Sequence, residues 1–392
     1  MFSNGFRPFF LFGAIHAALM VALWVPWYLG YIALPTALAP VDWHMHELLF
    51  GYVPAIVAGF LLTAVPNWTG RPPLVGVPLA ALAALWLVGR VAVMVSQYLP
   101  AAAMIASAMA FPIVLLAVIA REIVASGNTR NLKVLAGLGL LCIAQGLFHG
   151  EILAQGHVIY GHHLAIASVL LLIMLIGGRI IPNFTANWIK RNNPGREPAP
   201  FGTFDMLAIG LGALALGAWV LLPAFENAAV PTMILLGLAG ISHFVRLARW
   251  VPHRTTGEPL VLVLHVAYGF VPLGFVLVAL GLADGAQPLA TGATHAWTVG
   301  AIGLMTLAVM TRATRGHSGM QLTAPLGTVV IYLAIVGSAT TRLLAAAIPS
   351  QSAVLLAATA VLWVAGFATF VMLYGPMLLQ AKVRSAGTGA AS

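Results

Sequence analysis

The feature that most constrains this chain is the placement of its positive charge. Apolar runs near 8–34, 43–66, 73–99, 101–121, 132–156, 160–182, 202–223, 228–250, 258–283, 293–312, 324–348 and 351–379 are joined by short connections. Every second connection collects lysine and arginine: Arg7, then Arg71, then Arg121, Arg130 and Lys133, then Arg179, Lys190, Arg191 and Arg196. The series continues with Arg246, Arg249 and Arg254, with Arg312 and Arg315, and with Lys382 and Arg384, accounting for 16 of the 18 basic residues. The intervening connections (31–42, about 100, 151–160, 224–228, 283–292 and 348–351) hold no lysine or arginine but carry Asp42, Glu151, Glu226 and Asp284.

Runs of this length match the roughly 20 apolar residues that cross a bilayer as a helix. Only 7% of residues are charged, against about a quarter in soluble domains, so lipid must be the main solvent. The expected fold is an all-α membrane protein of about twelve transmembrane helices in a single polytopic domain. The basic connections place both termini on the cytoplasmic side. Because those residues flank membrane spans, the net charge of +9 does not indicate nucleic-acid binding. The first run is too long for a signal-peptide core and leads directly into further spans. The lone Cys142 excludes an internal disulfide, a thiolate-held iron–sulfur cluster and a zinc-finger-type site.

Histidine is unusually abundant: twelve residues against nine acidic ones. An offset of 116 carries His46, Pro66, Asn67 and Thr69 of span 2 onto His162, Pro182, Asn183 and Thr185 of span 6. An offset of 249 carries His46 and Gly51 onto His295 and Gly300 of span 10, and His16 onto His265. Three four-helix repeats, about 1–125, 126–255 and 256–392, would produce these matches. Spans 2, 6 and 10 all run inward, so His46, His162 and His295 share a depth near the outer face, and His149, His44, Glu47 and His163 join that layer. Neutral imidazole is a common metal ligand and an axial ligand of haem iron. His44 and His46 are about 200° apart around a helix and cannot face one site, whereas His162 and His163, about 100° apart, can both face inward.

Two arginines, Arg90 and Arg342, fall inside spans in the outer half. They either snorkel to the interface or bind an anionic group held in the bundle. His16, His243 and His265 lie towards the inner half, where helix–helix hydrogen bonding competes with ligation; Tyr268 follows His265 by one turn. His317 falls in a cytoplasmic loop after span 10. His157 and His253 lie near loops and carry no expected role. Pro66 is expected to stop span 2 and Gly70 to turn the chain. No phosphate-binding loop, serine-nucleophile elbow or zinc-protease motif is present.

Several strings resemble the NnrS family: Phe6-Arg-Pro-Phe-Phe-Leu11, Trp43-His-Met-His-Glu-Leu-Leu-Phe-Gly51, Ala58-Gly-Phe-Leu-Leu-Thr63 through Trp68-Thr-Gly70, Gly177-Gly-Arg-Ile-Ile-Pro182, and Met305-Thr-Leu-Ala-Val-Met-Thr-Arg312 with Gly316-His317. The resemblance covers nearly the whole chain. It implies a twelve-span bacterial inner-membrane protein associated with haem and copper and with protection against nitric oxide. It also implies a distant relation to the catalytic subunits of haem–copper oxidases, in which spans 2, 6 and 10 supply ligands. Those subunits carry a close histidine pair in span 10, where this chain has only His295.

The resulting expectation is a b-type haem, since no Cys-x-x-Cys-His attachment motif exists. His46 and His295 would be its axial ligands, Arg90 and Arg342 would meet its propionates, and His265 is a further cofactor candidate. His149, His162, His163 and His44 would form a metal site, with copper as the second metal and nitric oxide as ligand or substrate. Turnover of nitric oxide would make the protein an oxidoreductase, and its electron donor is not evident in the chain. A transporter or sensor-like protein for a small solute is the alternative class, and a structural partner in assembling another membrane complex is a third.

Overall fold

The computed structural model describes residues 1–283 and 287–380; Asp284, Lys382 and Arg384 of the charge pattern lie outside them. Among the described residues twelve helices are long and apolar enough to cross a membrane: α1 Phe6–Tyr28, α2 Pro40–Thr69, α3 Val77–Met94, α4 Ala101–Ala125, α5 Leu132–Gln155, α6 Gly161–Asn192, α7 Thr203–Ala224, α8 Ala229–Ala248, α9 Pro259–Gly281, α10 Gly292–His317, α11 Leu326–Ala347 and α12 Pro349–Leu379. No strand occurs among the described residues. Each expected span has its helix, so this is a multi-pass membrane protein.

The ends of the spans differ from expectation in instructive ways. Pro66 does not stop α2; the helix passes through it to Thr69 and ends at Gly70, whose φ of +70° is the left-handed cap that glycine adopts without strain. A proline in the last turn disturbs few later bonds. Side chains reinforce that turn, with Asn67 Nδ2 donating to the Thr63 carbonyl and the Thr69 hydroxyl to the Val65 carbonyl. Helix α6 likewise continues through Pro182. Helix α1 ends earlier than its apolar run, at Tyr28, beside the left-handed Gly30. His317 is not in a loop but is the last residue of α10, with its ring stacked on Phe6.

Successive helices pack side by side, and α12 closes back on α1. Arg7 ties that seam by donating to the carbonyls of Met377, Leu378 and Gln380. The end holding Met1 and Leu379 is called here the terminal face, and the opposite end the far face. At least half of the most apolar window is buried in α1, α2, α5, α6, α9 and α10, and less than half in the other six helices. The first two helices of each successive four are therefore inner and the last two outer. Helix α6 touches both α2 and α10, and the Tyr52 and Thr306 hydroxyls join α2 to α10.

Three inner helices contain a π-helical stretch: Glu47–Tyr52 in α2, Ile173–Gly177 in α6 and Ala296–Gly303 in α10. Such insertions re-aim side chains and free carbonyls, and they recur at functional sites. The 249-residue offset that superposes His46 on His295 carries Glu47–Tyr52 onto residues 296–301, the start of the α10 stretch. In α6 the stretch lies about ten residues deeper than the 116-residue offset would place it.

Candidate metal centre

The α2 stretch opens with Glu47, which is 1% exposed, and around its carboxylate the structure gathers three residues, from α1, α3 and α2 itself. Arg90 of α3 donates through Nη1 to Glu47 Oε1 at 2.9 Å. His16 of α1 reaches Oε2 through Nε2 at 3.0 Å. His46 Nδ1 lies 2.9 Å from Oε1, and because an ionised carboxylate has no proton to give, Nδ1–H is the donor. His46 Nε2 then carries a lone pair, and it faces His149 Nε2 of α5 at 3.3 Å.

Local sequence explains the assembly. Gly51 lets two side chains pass: a Cβ there would come within 2.6 Å of His16 Nε2 and 2.9 Å of Arg90 Nη1. Trp86 of α3 donates to the Gly51 carbonyl at 2.9 Å, binding α3 to the π-helical turn. Phe50 and Phe148 pack on the His46 ring, with centroids 5.6 and 5.5 Å away, and exclude water from the imidazole pair. Arg90 thus does not snorkel. The anion it meets is the chain's own Glu47. His16, ten residues into α1, joins the Glu47 carboxylate.

The remaining predicted residues are distributed elsewhere. His44 points away from His46 and stacks on Trp24 at 4.0 Å, within electrostatic range of Arg342. The His162 and His163 rings lie 4.1 Å apart, and His163 packs on Trp219 at the same distance. Trp219 in turn meets Trp297 edge-on at 5.2 Å, two residues after the half-buried His295. Glu151 fixes the start of α6 by accepting the backbone N–H groups of Ile159, Tyr160 and Gly161 at 3.1, 2.8 and 3.1 Å. His265 is apart from all of these, 2.8 Å from the Thr185 hydroxyl.

A second buried cluster was not anticipated. Asp205 near the start of α7 accepts from Arg246 Nε at 2.9 Å. Arg246 also donates to the Tyr268 hydroxyl at 2.8 Å and to the carbonyl of Met174, within the α6 π-helical stretch, at 3.0 Å. His243 uses both ring nitrogens, on Tyr268 at 2.7 Å and on the Ala208 carbonyl at 3.0 Å. Arg246, read from sequence as part of a basic connection, is fully buried in α8. The only sequence hint, an acid near the start of one span and a base near the end of the next, does not by itself pair them.

Chemically the first cluster is the richer one. Two nitrogens each about 2.0–2.1 Å from a tetrahedral ion stand about 3.3–3.4 Å apart, and the His46–His149 separation is 3.3 Å. A carboxylate on the far nitrogen of a ligating histidine is the usual outer partner of such an ion. Among the described residues no group of three or more His, Cys, Asp or Glu side chains could hold a metal ion; the two imidazoles are a pair only.

A search of curated proteins finds no match to the chain. A family model, described as NnrS protein, matches residues 1–382. The chain belongs to the NnrS family.

Proposed function

We propose that this protein serves the nitric oxide response of a bacterial inner membrane by holding a metal ion, copper by its donor set, between His46 and His149. The observation that carries this reading is the pair of buried imidazole nitrogens 3.3 Å apart on two helices, with one imidazole aligned by a carboxylate. Imidazole suits copper, and an ion with open positions would supply a place for nitric oxide to bind and exchange an electron. The chain's own residues do the rest. Glu47 keeps the proton of His46 on Nδ1, leaving Nε2 for the metal. Arg90 and His16 hold the Glu47 carboxylate in place. Phe50 and Phe148 pack against the His46 ring and keep water off the pair.

Metal analysis of purified protein tests this reading. One copper per chain is expected in the wild type, and its absence from both His46→Ala and His149→Ala. Full copper in either variant would refute it.

A second reading, b-type haem bound towards the far face, draws on different atoms. Nδ1 of His44, His162 and His163 is buried without a hydrogen-bond partner among the described residues, which in a native protein calls for a partner such as water, an ion or a ligand. Arg342, near His44, would meet a propionate, and His295 is the axial candidate on α10. Haem on His46 itself would require the Phe50 and Phe148 rings to move. A Soret band retained in His46→Ala but lost in His295→Ala supports this placement; the reverse pattern excludes it.

A further inference from the structure

A second site lies at the opposite end of the bundle. Between the terminal-face ends of α1, α2, α6, α9 and α10 is a cavity of about 350 Å³, within the roughly 300–1,000 Å³ of small-molecule sites. Its floor is the buried Phe6 and Phe10, its walls include Phe60 and Phe184, and its rim carries the exposed Asn67 and His317. The cavity is therefore apolar in depth and polar at the mouth.

The polar group set into its wall is Arg312. Buried Arg90 and Arg246 each have a carboxylate of this chain at 2.9 Å. Half-buried Arg312 has none within 4.0 Å among the described residues, and its guanidinium lies 4.0 Å over the Phe184 ring. Glu258 attracts it from a distance, but it forms no ion pair with Arg312 within 4.0 Å, and its Oε1 is taken by the backbone N–H groups of Leu260 and Ala324. Stacking on an aromatic face leaves the N–H edge of a guanidinium available for a planar or tetrahedral anion.

We propose that this cavity binds an anionic amphiphile, a carboxylate or phosphate on an apolar body, with the anion on Arg312 and the body against Phe6, Phe10 and Phe60. The chemistry is shared by lipid-derived acids and by soluble aromatic acids, and the site is independent of the metal centre.

The test uses full-length protein in phosphatidylcholine nanodiscs with radiolabelled dodecanoate and benzoate as probes and dodecanol as the neutral analogue. Saturable binding of dodecanoate identifies a lipid-derived occupant, and saturable binding of benzoate a soluble one. In either case Arg312→Ala should weaken binding tenfold or more, Arg312→Lys less, and Ala313→Phe, which fills the cavity, should abolish it. Dodecanol should bind at least tenfold more weakly than dodecanoate. Unchanged melting of Arg312→Lys and Ala313→Phe separates lost binding from lost folding. Absence of saturation by either acid, equal binding of dodecanol, or equal binding by well-folded Ala313→Phe would overturn the proposal.

Discussion

The two buried clusters are built alike and differ in one respect. Each pairs an acid with an arginine from a neighbouring helix, Glu47 with Arg90 and Asp205 with Arg246, both at 2.9 Å. Each sits on a π-helical stretch, one giving its Glu47 side chain and the other its Met174 carbonyl. Each needs a glycine beside the arginine: a Cβ on Gly51 would crowd Arg90, and one on Gly178 would overlap Arg246. In the Asp205 cluster His243 spends its two nitrogens on a tyrosine hydroxyl and a backbone carbonyl. In the Glu47 cluster the chain of bonds runs outward through His46 and ends on a second imidazole. The same architecture thus makes a staple in one place and, on the reading proposed above, a ligand pair in the other.

The largest expected effect treats the clusters as equals. Removing one partner of a buried ion pair leaves an uncompensated charge and costs about 3–5 kcal/mol, so Arg246→Ala and Glu47→Gln should both lower thermal stability in detergent strongly. They should part on metal. Glu47→Gln is expected to weaken copper about 10–100-fold, while the folded fraction of Arg246→Ala keeps wild-type affinity. Equal loss of copper in both variants would make the metal effect one of general disruption.

A second contrast swaps the histidines. His149→Ala should reduce copper affinity by at least about 100-fold through loss of one of two ligands. His243→Ala should leave copper binding intact but destabilise by about 1–3 kcal/mol, since the Tyr268 hydroxyl loses a buried partner. Copper titration and thermal melting of both variants read the two effects separately. The smallest effect is expected for His16→Gln, which keeps a donor to Glu47: a change under about 1 kcal/mol in stability and less than tenfold in copper affinity. A larger loss would make His16 a ligand rather than a buttress.

Much of this was legible in the chain. Alternating basic and non-basic connections gave all twelve spans, because apolar length and flanking charge are properties a helix cannot hide in a bilayer. The depth argument brought His46, His149, Glu47 and Arg90 into one layer. What sequence could not give was direction. Helical angle alone separates His44 from His46, yet the π-helical turn that re-aims Glu47 depends on Trp86 and Gly51 contacts made across helices. The pairing of Asp205 with Arg246 was hidden for the same reason, since Arg246 reads as one more flanking base until α7 and α8 are packed together. His295, matched to His46 by the repeat, is followed by Ala296 where His46 is followed by Glu47, so the offset preserves the histidine but not its carboxylate.

The central claim is an ion shared by His46 and His149. X-ray absorption at the copper edge on purified, copper-loaded wild-type protein tests it most directly. Two imidazole nitrogens at about 2.0–2.1 Å are expected in the wild type, and no protein-bound copper signal in His149→Ala. A wild-type spectrum without imidazole scattering, or one that His149→Ala leaves unchanged, would contradict it.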